Sequence, residues 1–211
     1  MDWPLYMSLL WLVMIASITP GPNNFMLMSS GALFGFKKSV PHILGVAFGF
    51  PILLLACVYG LGLLVENQPW LLRVVKITGT LWIGWMAIKF LLGAWHIARA
   101  DNMSGTGKPV KSGPSRPFHF HEAALFQWAN PKAVIMALTT SGLYVGITSN
   151  IHLRAAIMSG TFFIFALLAT GIWTLAGSTL NRFMTHGRPA IILNIIMGLL
   201  LLITALFILM S

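Results

Sequence analysis

The sequence predicts an all-α integral membrane protein, and three observations carry that reading. Hydrophobic residues make up 57% of the 211 positions and charged residues only 8%, with a mean hydropathy of +0.85. A soluble domain of this size has no interior large enough to hide so much apolar surface. Long, nearly uncharged runs recur along the chain, and about 20 such residues are what a hydrocarbon core roughly 30 Å thick requires. The 13 Lys and Arg are scattered at the ends of those runs and form no basic face. The formal net charge of +9 therefore describes topology, not nucleic-acid binding.

Six spans are expected, at residues 5–34, 40–65, 71–95, 121–147, 153–177 and 189–210. The first is read as a retained span, because only Asp2 precedes it and neither a basic leader nor an A-x-A cleavage pattern is present. As one straight helix its 30 or so residues would run about 45 Å, beyond the hydrocarbon thickness. Thr19-Pro20-Gly21-Pro22-Asn23-Asn24 is the expected break: two prolines remove backbone donors, and the glycine between them admits unusual dihedrals. Unwound backbone at membrane depth is tolerated only where it is buried in protein or lines a watery cavity. A bare proline kink is the plain alternative, but Pro20, Gly21, Pro22, Asn23 and Asn24 together make the better case for a substrate site.

The second span carries Cys57, the one cysteine, which excludes an intramolecular disulfide and reads as packing. Its glycines Gly45 and Gly49, with Gly31 and Gly35 before them, set small residues four apart. Such faces mean close helix approach within the bundle or between protomers, and on that ground a homodimer is expected as an option. Trp3, Trp70 and Trp95 near span ends fit interfacial belts. Residues 100–117, rich in Ser, Gly, Pro and Lys, read as a flexible cytoplasmic linker. It divides the chain into three-span halves, 1–99 and 118–211, and an odd number of spans per half inverts the second relative to the first. A constant offset of 111 residues aligns Pro20 with Pro131, Leu27 with Leu138, Ser30 with Ser141, Gly31 with Gly142, Gly49 with Gly160 and Gly60 with Gly171. Two inverted three-helix repeats are the architecture of secondary transporters, with discontinuous helices at the substrate site.

The fourth span holds the counterpart of the first break, Gln127-Trp128-Ala129-Asn130-Pro131-Lys132. Lys132 is costly inside a span, by about 2.5 to 3.5 kcal/mol on insertion scales. It either snorkels to the interface or faces a cavity or partner, and its depth favours the second. Gln127, Asn130, Pro131 and Lys132 thus join the candidate substrate residues. Nine bases fall on one side, Lys37, Lys38, Lys89, Arg99, Lys108, Lys111, Arg116, Arg182 and Arg188, against Arg73, Lys76 and Arg154 on the other. Both termini are then expected outside the cytoplasm.

At these motifs the chain resembles the LysE (lysine exporter) family of amino-acid exporters, including the RhtB type. The resemblance rests on Thr19-Pro20-Gly21-Pro22-Asn23, on the glycines Gly31, Gly35, Gly45 and Gly49, and on Asn130-Pro131-Lys132, and it covers nearly the whole chain. Within the family, the paired Asn23-Asn24 and Phe126-Gln127 are most similar to cysteine and O-acetylserine exporters. The resemblance implies efflux of amino acids across a bacterial inner membrane, driven by proton antiport.

The residues themselves favour a small zwitterionic or neutral substrate. Asp2, Glu66 and Asp101 lie outside the spans and Glu122 at the start of the fourth, so a cationic substrate would lack a counter-charge. A carboxylate has Lys132 or a half-helix N-terminus to meet. Glu122 is the one candidate for proton coupling, and a polar helix start is its alternative role. His119, His121 and Glu122 resemble a metal site only weakly, so neither metal nor cofactor is expected, while a pH-sensing gate stays open. A channel or importer on the same bundle is the nearest rival function. A membrane-embedded serine protease is remote, because Ser30-Gly31 and Ser141-Gly142 lack the preceding glycine of a G-x-S-G elbow and the six histidines sit near interfaces or in loops.

Overall fold

The computed structural model describes residues 1–62, 67–104, 116–184 and 187–210. Among them there is no strand. The helices are α1 (Trp3–Ile18), α2 (Pro22–Phe34), α3 (Phe36–Ala56, continued by a π-helical turn Cys57–Leu61), α4 (Pro69–Ser104), α5 (Phe120–Ala129), α6 (Pro131–Leu143), α7 (Ile151–Met184) and α8 (Gly187–Met210). A short 3₁₀ turn, Val145–Ile147, follows α6. The sequence broken pair, long helix, long helix therefore occurs twice along the chain.

Local chemistry sets the boundaries. Asp2 caps α1, its Oδ1 accepting from the Leu5 amide at 2.9 Å, with Pro4 in the first turn where no donor is needed. Gly35 closes α2 at φ +80, a conformation that favours glycine. Its N–H bonds the Gly31 carbonyl at 2.9 Å. Gly60, at φ +133, marks the kink that ends α3.

Four segments are long and apolar enough to cross a membrane, Phe36–Leu61, Trp70–Arg99, Ile151–Thr179 and Ala190–Met210, and the pair α1 and α2 makes a fifth if counted as one span. The protein is thus a multi-pass membrane protein, and the surface agrees: Leu81, Ile203, Leu206 and Leu209 are each more than half exposed. Six spans were expected. The segment expected at 121–147 consists of two short helices of 10 and 13 residues, about 15 and 20 Å long. Asn130 separates them, and His121, Glu122, Gln127 and Lys132 dilute their apolar character. The span expected at 71–95 runs on as α4 to Ser104, into the stretch read as linker, because no proline or glycine interrupts Trp95–Ser104. The rest of that linker, 105–115, lies outside the described residues, as does Glu66.

The chain forms two compact units. One comprises Met1–Pro20, Pro41–Gly79 and Phe118–Ile172, the other Gly21–Val40, Thr80–Pro117 and Trp173–Ser211. Each draws on both halves of the chain. The first unit is built on Leu9 and Val13 of α1, Phe50, Leu53 and Leu54 of α3, Val134 and Ala137 of α6, and Met158 and Phe162 of α7. Here α5 lies so close to α3 that a Cβ at Gly45 would overlap the Phe120 carbonyl and the Ala123 Cβ, and one at Gly49 would sit 2.6 Å from the Ala124 Cα. At Gly79 of α4 it would meet the Ala129 carbonyl and the Pro131 ring. The second unit packs Phe25 of α2 with Ile83, Ala87 and Phe90 of α4 and Met197, Leu201 and Ala205 of α8. Within it Gly31 and Gly177 let α2 and α7 touch backbone to backbone, at Thr174 and Met28. Gly31, Gly45 and Gly49 thus serve close packing as expected, whereas Gly35 is a helix end with nothing near it.

Candidate functional site

Two helix breaks fall where the polar motifs stand. At the first, α1 stops at Ile18 and Thr19 turns the chain out of the helix at ψ 133. Gly21 is extended and Pro22 opens α2. The reason is written in Pro20. In a continued helix the amide of residue 20 would bond the carbonyl of Ala16, and proline has no amide hydrogen to give. The Ala16 carbonyl loses its helical donor, and the carbonyls at the end of α1 carry the negative end of its dipole.

Lys132 supplies the missing donor. Its Nζ donates to the carbonyl oxygens of Ala16 at 3.2 Å, Thr19 at 3.0 Å and Pro20 at 3.5 Å. An ammonium has three hydrogens and no acceptor, so it matches a fan of carbonyls. Neither the ammonium nor the helix end is sealed in the core: Thr19 and Pro20 are exposed and Lys132 is half-buried.

The second break places that lysine. Asn130 leaves the α5 helix at ψ 106 and, 2% exposed, turns its Oδ1 to the Lys132 amide at 3.2 Å. This is an N-cap, followed by proline at the first helical position. Asn130-Pro131-Lys132 is therefore one device: a cap, a helix start, and a side chain that reaches back to α1. Pro131, as a helix start, is the structural counterpart of Pro22, two residues on from the Pro20 that the constant offset pairs with it.

The remaining candidates divide. Asn24 is buried and Asn23 half-buried at the start of α2, and both interact within the protein. Gln127 is fully buried and donates from Nε2 to the Ala123 carbonyl of its own helix at 2.8 Å. Glu122 accepts from the His119 amide at 2.8 Å through Oε2, which makes it the partner of the α5 N-terminus. His119 and His121 stack on each other at 5.7 Å. Freed backbone at the first break was expected from its prolines; Lys132 as the donor that reaches the carbonyls of Ala16, Thr19 and Pro20 was not. His42, grouped with the histidines near interfaces on the sequence alone, is 2% exposed and stacked on Phe118.

A protein of Salmonella choleraesuis (strain SC-B67) described as a cysteine/O-acetylserine efflux protein is 28% identical over 207 residues, covering 96% of each chain. Proteins of the same description from Shigella flexneri serotype 5b and from Escherichia coli O139:H28 are 27% identical over 209 residues, again covering 96% of each chain. No solved structure matches. The family model for LysE type translocators matches residues 14–211, and the chain belongs to that family.

Proposed function

We propose that this protein is a secondary active exporter of small neutral amino acids or their derivatives, cysteine- or O-acetylserine-like compounds foremost, acting in the bacterial inner membrane by proton antiport and alternating access. The observation that carries the proposal is the Lys132 ammonium seated on the carbonyls that the break at Pro20 sets free. Half-helix C-termini attract cations and half-helix N-termini attract anions. Every amino acid presents one of each. A helix end that accommodates the primary ammonium of Lys132 can accommodate that of a substrate, and the displaced lysine is then available to the substrate carboxylate.

On this reading Asn23, Asn24 and Asn130 supply amides, and Pro20, Gly21, Pro22 and Pro131 create the helix ends. Gln127 supports the second break from within α5, and Glu122 stands at its start as the candidate for proton coupling. The efflux role of the relatives, shared over 96% of the chain, supports the direction. The repeated order of a broken pair and two long helices supports two inverted repeats, 1–99 and 118–211. The division of bases supports periplasmic termini. The reading requires no cofactor, metal or catalytic step.

Counterflow in proteoliposomes tests it. Labelled O-acetylserine or cysteine outside should accumulate transiently against unlabelled amino acid inside. Passive flux without trans-stimulation would mean a channel. No flux of any amino acid, from protein that is demonstrably folded, would overturn the substrate class.

A further inference from the structure

The α3–α5 crossing buries a histidine that the site above does not use. Neither ring nitrogen of His42 has a hydrogen-bond partner among the described residues, and both are buried. Leaving a buried polar group unsatisfied is costly, and such a group in a native fold needs an explanation. The ring stacks on Phe118, centroids 5.2 Å apart, and Phe118 in turn meets Phe126 edge-on at 6.4 Å. Gly45, one turn along α3, brings the first turn of α5 against this helix. On that turn stands Glu122, whose carboxylate accepts from the His119 amide.

We propose that His42 and Glu122 form a proton-binding pair, in which taking up a proton on the imidazole draws the carboxylate away from its cap on α5. The balance is simple. A neutral ring and a carboxylate accept one proton from water and become an imidazolium–carboxylate ion pair, which satisfies a buried nitrogen that is orphaned in the unloaded state. The cost is one cap at the N-terminus of the helix that ends at Asn130. Proton loading and the geometry of the second break are thereby linked through the ten residues of α5.

The neighbouring charges leave Glu122 as the counter-ion. His119 and His121, also on the first turn of α5, are exposed and stacked on each other. Arg116 is exposed and turned to the Pro117 carbonyl at 3.2 Å. Lys37 and Lys38 precede His42 on α3 and are exposed. From α7, which meets α3 through Phe48–Phe163 and Phe50–Phe162, the titratable groups among the described side chains are His152 and Arg154. These are engaged at the other end, by Tyr59 at 2.9 Å and the Val145 carbonyl at 3.0 Å.

The proposal rests on the exporter reading only for its use in transport, so two measurements separate them. Histidine-labelled protein in detergent gives ring NMR signals, and the one absent from His42→Gln is that of His42. It should titrate within the pH range over which the protein stays folded, and its curve should move in Glu122→Gln, whose amide oxygen still accepts from His119. A ring that stays in one protonation state across that range, or titrates identically in Glu122→Gln, overturns the pair whether or not any amino acid is transported. In proteoliposomes, His42→Gln should keep O-acetylserine exchange at equal pH and lose accumulation driven by a pH gradient. Retained gradient-driven accumulation overturns the coupling role. If wild-type protein exchanges nothing, the exporter reading fails and the NMR titration still decides the pair.

Discussion

Lys132 is held by geometry that one proline creates, so its contribution can be isolated. Lys132→Met removes the charged donor from the Ala16, Thr19 and Pro20 carbonyls while keeping a long apolar stem. Hydrogen bonds to charged groups contribute about 1.5 to 3 kcal/mol, and unfolding in mixed micelles should show a loss of that order. In a Pro20→Ala background the amide of residue 20 is restored and can serve Ala16, so the same substitution should cost measurably less. Equal costs in both backgrounds would refute the link between Lys132 and the break. Asn130→Ala should destabilise by about 1 kcal/mol through loss of the cap, and Asn130→Ser, which keeps an acceptor, should recover most of it. At this scale the sequence was informative about residue type more than role. A lysine and an asparagine beside a proline in a span announced a special site. That Lys132 donates to backbone carbonyls more than 110 residues away followed only from tertiary structure. Gln127, expected to face a substrate, is fully buried and donates from Nε2 to the Ala123 carbonyl of its own helix.

The helices carry a second kind of information, in their glycines. Gly45 and Gly84 both sit inside long helices, but a methyl at Gly45 would collide with the backbone of α5 while one at Gly84 meets nothing. Gly45→Ala should therefore destabilise by about 1 to 3 kcal/mol, since backbone cannot move aside as a flexible side chain does. Gly84→Ala should be neutral or stabilise by up to about 1 kcal/mol through helix propensity. Thermal midpoints of the two variants in the same detergent decide it, and equal midpoints would remove close approach as the reason for Gly45. Helix positions were legible because hydropathy runs and proline punctuation are local properties. The division of 121–147 into two half-helices was legible too, from Asn130-Pro131. What could not be read was which glycines pack. The constant offset pairs Gly49 with Gly160, but the first abuts Ala124 and the second faces open space, and only the neighbour's backbone distinguishes them.

At the scale of the whole molecule, the membrane decides which way the chain lies, and the charges give the argument. Leaving Lys132 aside, nine bases are expected on one side of the membrane and three on the other. Each Lys or Arg near the surface adds about 1 kcal/mol of attraction to an anionic cytoplasmic leaflet, and basic loops are retained on that side during insertion. Two of the basic side chains are held along their own helix, Lys89 over the Trp85 ring at 3.8 Å and Arg99 over Trp95 at 5.3 Å. This is how a long cationic side chain shares a surface with interfacial aromatics. The expected topology places the 105–115 segment in the cytoplasm and both ends of this chain outside. Alkaline phosphatase, which is active only after export, should be active when fused after Ser211 and inactive when inserted at Lys108. Reversing Lys37 and Lys38 to Glu should weaken the asymmetry without inverting it, since seven bases remain on that side. The opposite pattern, activity at Lys108 and none at Ser211, would invert the molecule and place the α5 N-terminus, with Glu122 and His42, on the periplasmic side. Export by proton antiport loads the proton from the periplasm and releases it into the cytoplasm, so the topology measurement also decides whether this pair faces the loading or the releasing side.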